Sequence, residues 1–147
     1  MSFANKNVRI PLPFFSLALV ISFILVACSN DPAGPEKEIT LPESNLNYVE
    51  HIQPLLIVKC GSRSGCHSSF EPARGLDLTN YQILINHEVD GNVRLVIPGQ
   101  GISSFLYNIL REPLLTTTRM PKDEPALSAN NQEGIRIWID EGAQQFP

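Results

Sequence analysis

The chain has 147 residues, 43% of them hydrophobic and 18% charged, with a formal net charge of −4 at neutral pH. This composition excludes disorder and collagen-like repetition for the chain as a whole, and the length suits one globular domain. The acidic balance, with no basic stripe, argues against a nucleic-acid partner.

Hydrophobic residues are concentrated at the start. Lys6 and Arg9, with no acid nearby, precede the apolar run from Phe14 to Ala27. A positive start and an apolar stretch too short to span a bilayer comfortably predict an export signal over 1–27. Leu25-Val26-Ala27-Cys28 resembles the bacterial lipobox. That resemblance implies cleavage before Cys28, acylation of this cysteine, and a lipid anchor to the cell envelope membrane on its periplasmic or outer-membrane face. Several acyl chains, at about 0.8 kcal/mol per buried methylene, hold a soluble domain on a membrane. An uncleaved anchor helix and a cleaved signal without lipid are the other readings. Loss of the leader removes Lys6 and Arg9 and no acid, so the net charge goes from −4 to −6. Residues 28–45 then read as a lipidated tether, polar and proline-bearing from Ser29 to Glu38, and 46–147 as the folded domain.

In that domain, Ile52, Leu55, Leu56 and Lys59 at helical spacing predict a helix from Glu50 to Cys60, with Pro54 in an early turn. Residues 61–77 read as a loop. Thr79 is the expected cap of a brief helix over 80–86, and Asp90-Gly91-Asn92 marks a turn. Ser103 or Ser104 is expected to cap a helix running to about Glu112, with Phe105, Leu106, Ile109 and Leu110 on its apolar side. Two prolines exclude regular structure between Met120 and Pro125. Ser128 is the expected cap of a last helix to Glu141, with Ile135, Trp138 and Ile139 on one face and Gly142 ending it. The fold class is therefore all-α, three to four short helices with long loops. Loops of this length around so few apolar residues call for an organising cofactor, metal or disulfide.

With Cys28 assigned to lipid, Cys60 and Cys66 remain, and His67 follows Cys66 directly. Covalent haem attachment uses two thiols and a histidine next to the second that ligates the iron. Cys60-Gly61-Ser62-Arg63-Ser64-Gly65-Cys66-His67 supplies all three, with five residues between the cysteines where two are usual. The three extra residues must loop outward, which the glycines and serines allow. Met120, the one methionine downstream of the leader, stands in a polar irregular loop, where a second axial ligand is expected.

These residues, together with His51-Ile52-Gln53-Pro54-Leu55-Leu56, Gly75-Leu76-Asp77-Leu78-Thr79-Asn80-Tyr81, Val96-Ile97-Pro98-Gly99, Ser103-Ser104-Phe105-Leu106-Tyr107, Arg119-Met120-Pro121 and Ile137-Trp138-Ile139-Asp140-Glu141-Gly142-Ala143, resemble the class I-like cytochrome c domains of exported bacterial lipoproteins. The resemblance covers about Tyr48 to Ala143. It implies a small class I cytochrome c-like fold around one haem c, held covalently by Cys60 and Cys66. His67 and Met120 are its implied axial iron ligands, and the implied activity is one-electron transfer with redox partner proteins of the envelope. A shell of Leu55, Leu56, Leu76, Leu78, Phe105, Leu106 and Trp138 is expected around it. Pro98 is expected to fix the His67 ring, through the carbonyl preceding it or its own ring, and Arg119 to face either a propionate or solvent.

Two other readings of the same residues stand beside this one. A Cys60–Cys66 disulfide would staple a haem-free envelope lipoprotein that acts as a binding module. Zinc would need Cys60, Cys66, His67 and one of His51 or His87. His87 is also an alternative to Met120 as sixth ligand. No nucleophile elbow, phosphate-cradling loop or dinucleotide fingerprint points to an enzyme.

Overall fold

Buried positions at Tyr48, Ile52, Leu56 and Cys60 recur at every fourth residue, slightly longer than the 3.6-residue period of an α-helix. The chain accommodates that spacing with wide turns. In the computed structural model, which describes residues 38–62, 66–70 and 72–147, helical residues run without a break from 48 to 62. A π-type stretch, Tyr48–Ile52, leads into α1 (Gln53–Leu56) and then into a second π-type stretch, Ile57–Ser62. The wider turns bring the period nearer four, so Cys60 ends on the buried side with Ile52 and Leu56. Asn47 caps this run by accepting the Glu50 amide at 2.8 Å, and Pro54 sits at the start of α1, inside the continuous run, where its missing N–H removes one backbone hydrogen bond from the helix. The leader, Cys28 and residues 29–37 lie outside the described residues.

Three more helices follow: α2 (Tyr81–Asn86), α3 (Phe105–Arg111) and α4 (Ala129–Asp140). Between α2 and α3 stands a two-stranded antiparallel sheet, β1 (Glu88–Val89) and β2 (Val93–Arg94), closed by the expected turn at 90–92. The described residues are thus mostly helical, with one small sheet. Among them no helix is long and apolar enough to cross a membrane.

Two caps differ from expectation. Asn80, not Thr79, caps α2, accepting from the Gln82 and Ile83 amides, because the Thr79 hydroxyl and amide are both bound to the Asp77 carboxylate, at 2.6 and 2.8 Å. Ser104 precedes α3 but makes no side-chain cap. Its buried hydroxyl instead accepts the Ile97 amide at 2.8 Å and donates to the Gln100 carbonyl at 2.9 Å, closing the turn at Pro98-Gly99. Ser128 caps α4 as expected, and Gly142, at φ +98°, follows its end.

The core forms where α4 meets the start of the first helical run and α3. Trp138, Ile135 and Ile139 are fully buried, and the Trp138 ring lies 6.2 Å from that of Tyr48, which in turn lies 5.3 Å from that of Tyr81. Packing begins earlier in the chain than the expected boundary at 46. Leu41 is buried and clamped to α4, its amide donating to Asn130 Oδ1 at 2.8 Å and its carbonyl accepting from Asn130 Nδ2 at 3.1 Å. The Asn45 and Leu46 amides donate to the two Glu141 carboxylate oxygens, each at 2.8 Å.

Candidate functional site

The end of the first helical run sets the position of the cysteine-histidine segment. The His67 amide donates to the Cys60 carbonyl at 3.1 Å, and the His67 carbonyl accepts the Leu78 amide at 3.0 Å. The Cys66 carbonyl accepts the Ala73 amide at 2.7 Å. Backbone hydrogen bonds therefore tie Cys66 and His67 to both the helix end and the segment 73–78. In that segment Leu76 and Leu78 alternate with Asp77, so both leucines reach one side while the Asp77 carboxylate turns back onto Thr79.

These residues line one cavity of about 510 Å³, within the roughly 300–1,000 Å³ of small-molecule and cofactor pockets. Cys60, Cys66 and His67 contribute to its wall, and so does Met120, more than fifty residues away in sequence. The apolar wall comes from Leu76, Leu78 and Leu95 and from the inner face of α3, Phe105, Leu106, Ile109 and Leu110. Of the expected apolar shell, Leu55, Leu56 and Trp138 do not line this cavity. They lie fully buried in the helical core, where Trp138 donates to the Gln144 carbonyl at 3.0 Å.

The His67 ring is half-buried, and its Nδ1 lies 3.2 Å from the Leu76 carbonyl. Since a carbonyl only accepts, Nδ1 carries the proton and the neutral ring keeps its lone pair on Nε2. Burial pulls the His67 pKa below its usual value; the Leu76 carbonyl opposes that shift, and nearby His87 adds to it. The carbonyl that fixes the ring is thus Leu76's. Pro98 does not line the cavity, and the carbonyl preceding it, that of Ile97, accepts the Gln100 amide within its own turn at 2.9 Å, so the role expected for Pro98 falls to Leu76. His87 does line the cavity, whereas His51 accepts the Asn47 amide on Nδ1 at 3.2 Å, away from it.

Burial pushes the Cys60 thiol up to about 12, with Cys66 contributing, so Cys60 is protonated at neutral pH. No disulfide joins the two cysteines. Among the described residues no three His, Cys, Asp or Glu side chains are grouped closely enough to hold a metal ion.

On the opposite chain segment, the Met120 amide donates to the Ile109 carbonyl near the end of α3 at 2.8 Å. Arg119 does not line the cavity; its guanidinium is taken by carbonyls of its own loop. Sequence reasoning missed Thr117, a cavity residue whose buried hydroxyl has no hydrogen-bond partner. Leu114 and Thr117 exchange backbone hydrogen bonds at 3.1 and 2.9 Å, which fixes the residue that carries this hydroxyl. A buried hydroxyl left unpaired costs free energy that an acceptor on a bound molecule would offset.

No family model, curated protein or solved structure matches the chain.

Proposed function

We propose that this chain is a monohaem c-type cytochrome domain of class I-like fold, anchored to the envelope membrane through Cys28 and carrying one electron at a time between redox partner proteins. The observation that carries the reading is that Cys60, Cys66, His67 and Met120 all line one apolar cavity of about 510 Å³.

The residues fit the group. Two thiols with no disulfide between them are the donors that thioether attachment needs. Neutral His67, with Nδ1 held by Leu76, offers Nε2 to iron, the arrangement by which a second hydrogen bond sets the tautomer of a ligating histidine. Met120 would supply a second iron ligand. Bound haem c supplies a one-electron iron couple, whose potential a thioether ligand raises relative to a second nitrogen. Leu76, Leu78, Phe105 and Leu106 give the cavity an apolar wall that disfavours water, and Thr117 offers a hydrogen bond to an acceptor on a bound molecule. With His67 and Met120 both engaged as ligands, no position would be left for a substrate, and the domain would act as a carrier rather than an enzyme.

The test is expression of the full chain in a host with haem c maturation machinery, followed by a reduced spectrum of the denatured protein. A covalent haem chromophore, lost when Cys60 and Cys66 are both replaced by serine, is expected. A colourless protein whose mass reveals an intact Cys60–Cys66 bridge would overturn the cytochrome reading in favour of a disulfide-stapled binding module.

A further inference from the structure

We infer that Arg119 is a positioning residue, one that holds the Met120 segment closed against α3 and thereby keeps the thioether at the cavity. The inference rests on the His67 and Met120 reading above and adds to it the device that keeps a flexible side chain in place.

Met120 lies in a stretch with no helix or strand of its own between Arg119 and Ser128. Its amide is held by Ile109, whose carbonyl is among the last four of α3 and so has no partner within the helix. Its carbonyl accepts from Arg119 Nη1 at 3.2 Å, and Arg119 Nη2 donates to the Glu124 carbonyl at 3.0 Å. One guanidinium thus bridges the two ends of the loop 120–124. Both hydrogen bonds have a charged donor, which makes them stronger than neutral ones. The planar fork of arginine serves two carbonyls at once, which the single ammonium of lysine does less well. Arg119 does not line the cavity, while the two residues it bonds, Met120 and Glu124, both do, so whatever it does for the site it does through their backbone carbonyls.

Methionine has three rotatable side-chain bonds and ligates weakly, so a loop that fluctuates would release it. The loop bears Pro121, Lys122, Asp123 and Glu124 and buries little apolar surface. Its order rests on hydrogen bonds, and two of those come from Arg119.

The experiment uses the full haem-attached chain with R119Q and R119K. Its readouts are the absorption band of thioether-ligated ferric iron, followed against pH and temperature, the midpoint potential, and hydrogen exchange at the Met120 amide. Both variants are expected to keep covalent haem, since Cys60, Cys66 and His67 are untouched. R119Q is expected to lose the thioether band at lower temperature and lower pH than the parent, to shift the potential downward, and to exchange the Met120 amide about tenfold faster. R119K is expected to recover these properties only in part. If the band and the exchange rate are unchanged in both variants, the inference is wrong while the cytochrome reading stands. If the parent protein carries no covalent haem, both fall. Should R119Q fail to fold, R119K decides alone, and parent-like behaviour in it overturns the role of the fork.

Discussion

His67 Nδ1 lies 3.2 Å from the Leu76 carbonyl, and this contact decides which ring nitrogen remains a base. It also ties the ring to the segment carrying Leu76 and Leu78, so the base and the apolar wall of the cavity are set together.

A pH dependence follows for the chain produced without haem attachment. Burial lowers the pKa of both His67 and His87 below the ordinary 6.5. In the window between the folded pKa and 6.5 the unfolded chain binds more protons than the folded one, so stability increases with pH there. The contribution is complete above 6.5 and is lost as pH falls through the folded values. Urea midpoints at pH 8 and pH 5 are expected to show the acid sample less stable, with H67Q reducing the difference. A pH-independent midpoint would contradict the burial of these rings.

The two thiols should react at very different rates. Moving the Cys60 pKa from 9.0 to about 12 lowers its thiolate fraction about a thousandfold, while Cys66 is solvent-exposed. Timed alkylation of the haem-free chain, read by peptide mass, should label Cys66 first and Cys60 only after denaturation. Equal labelling in the native state would mean that the end of the first helical run is open.

Tyr48 donates its buried hydroxyl to the Leu78 carbonyl at 2.9 Å, while the Leu78 amide donates to His67. Tyr48→Phe leaves that carbonyl unpaired beside the core, at a cost of about 1–2 kcal/mol. Thermal unfolding should show Tm lowered by about 5 °C. An unchanged Tm would show that water replaces the hydroxyl.

Much of this could be read from the sequence where the signal was local. Ser128, the apolar face of α4 and Gly142 marked that helix, and Asp90-Gly91-Asn92 marked the hairpin turn. The apolar spacing predicts the first helix over 50–60, two residues short of its limits at each end, because wide turns change the apolar period. The partner of His67 could not be read, since it is a backbone carbonyl and any residue type would supply it. Thr117 gave no signal because nothing distinguishes a hydroxyl facing a cavity from its neighbours in Thr116-Thr117-Thr118. The docking of Leu41 on α4 joins residues 89 apart in sequence and depends on a notch.

That notch is Gly134. Built there, a Cβ would lie 2.5 Å from Leu41 Cδ1 and 2.8 Å from Leu41 Cβ, inside van der Waals contact. Alanine in a helix interior gains about 1 kcal/mol over glycine, so Gly134→Ala would stabilise α4 if nothing opposed it. The opposing effect is larger, because overpacking costs about 1–3 kcal/mol and expelling a buried leucine about 1.5–3 kcal/mol. Displacing Leu41 also breaks its two hydrogen bonds to Asn130. A net loss of about 1–2 kcal/mol is expected in chemical denaturation. Leu41→Ala removes Cδ1 and lets the segment shift, so in that background Gly134→Ala should cost less than it does alone. Simple additivity of the two substitutions would show that Leu41 does not occupy the notch in solution.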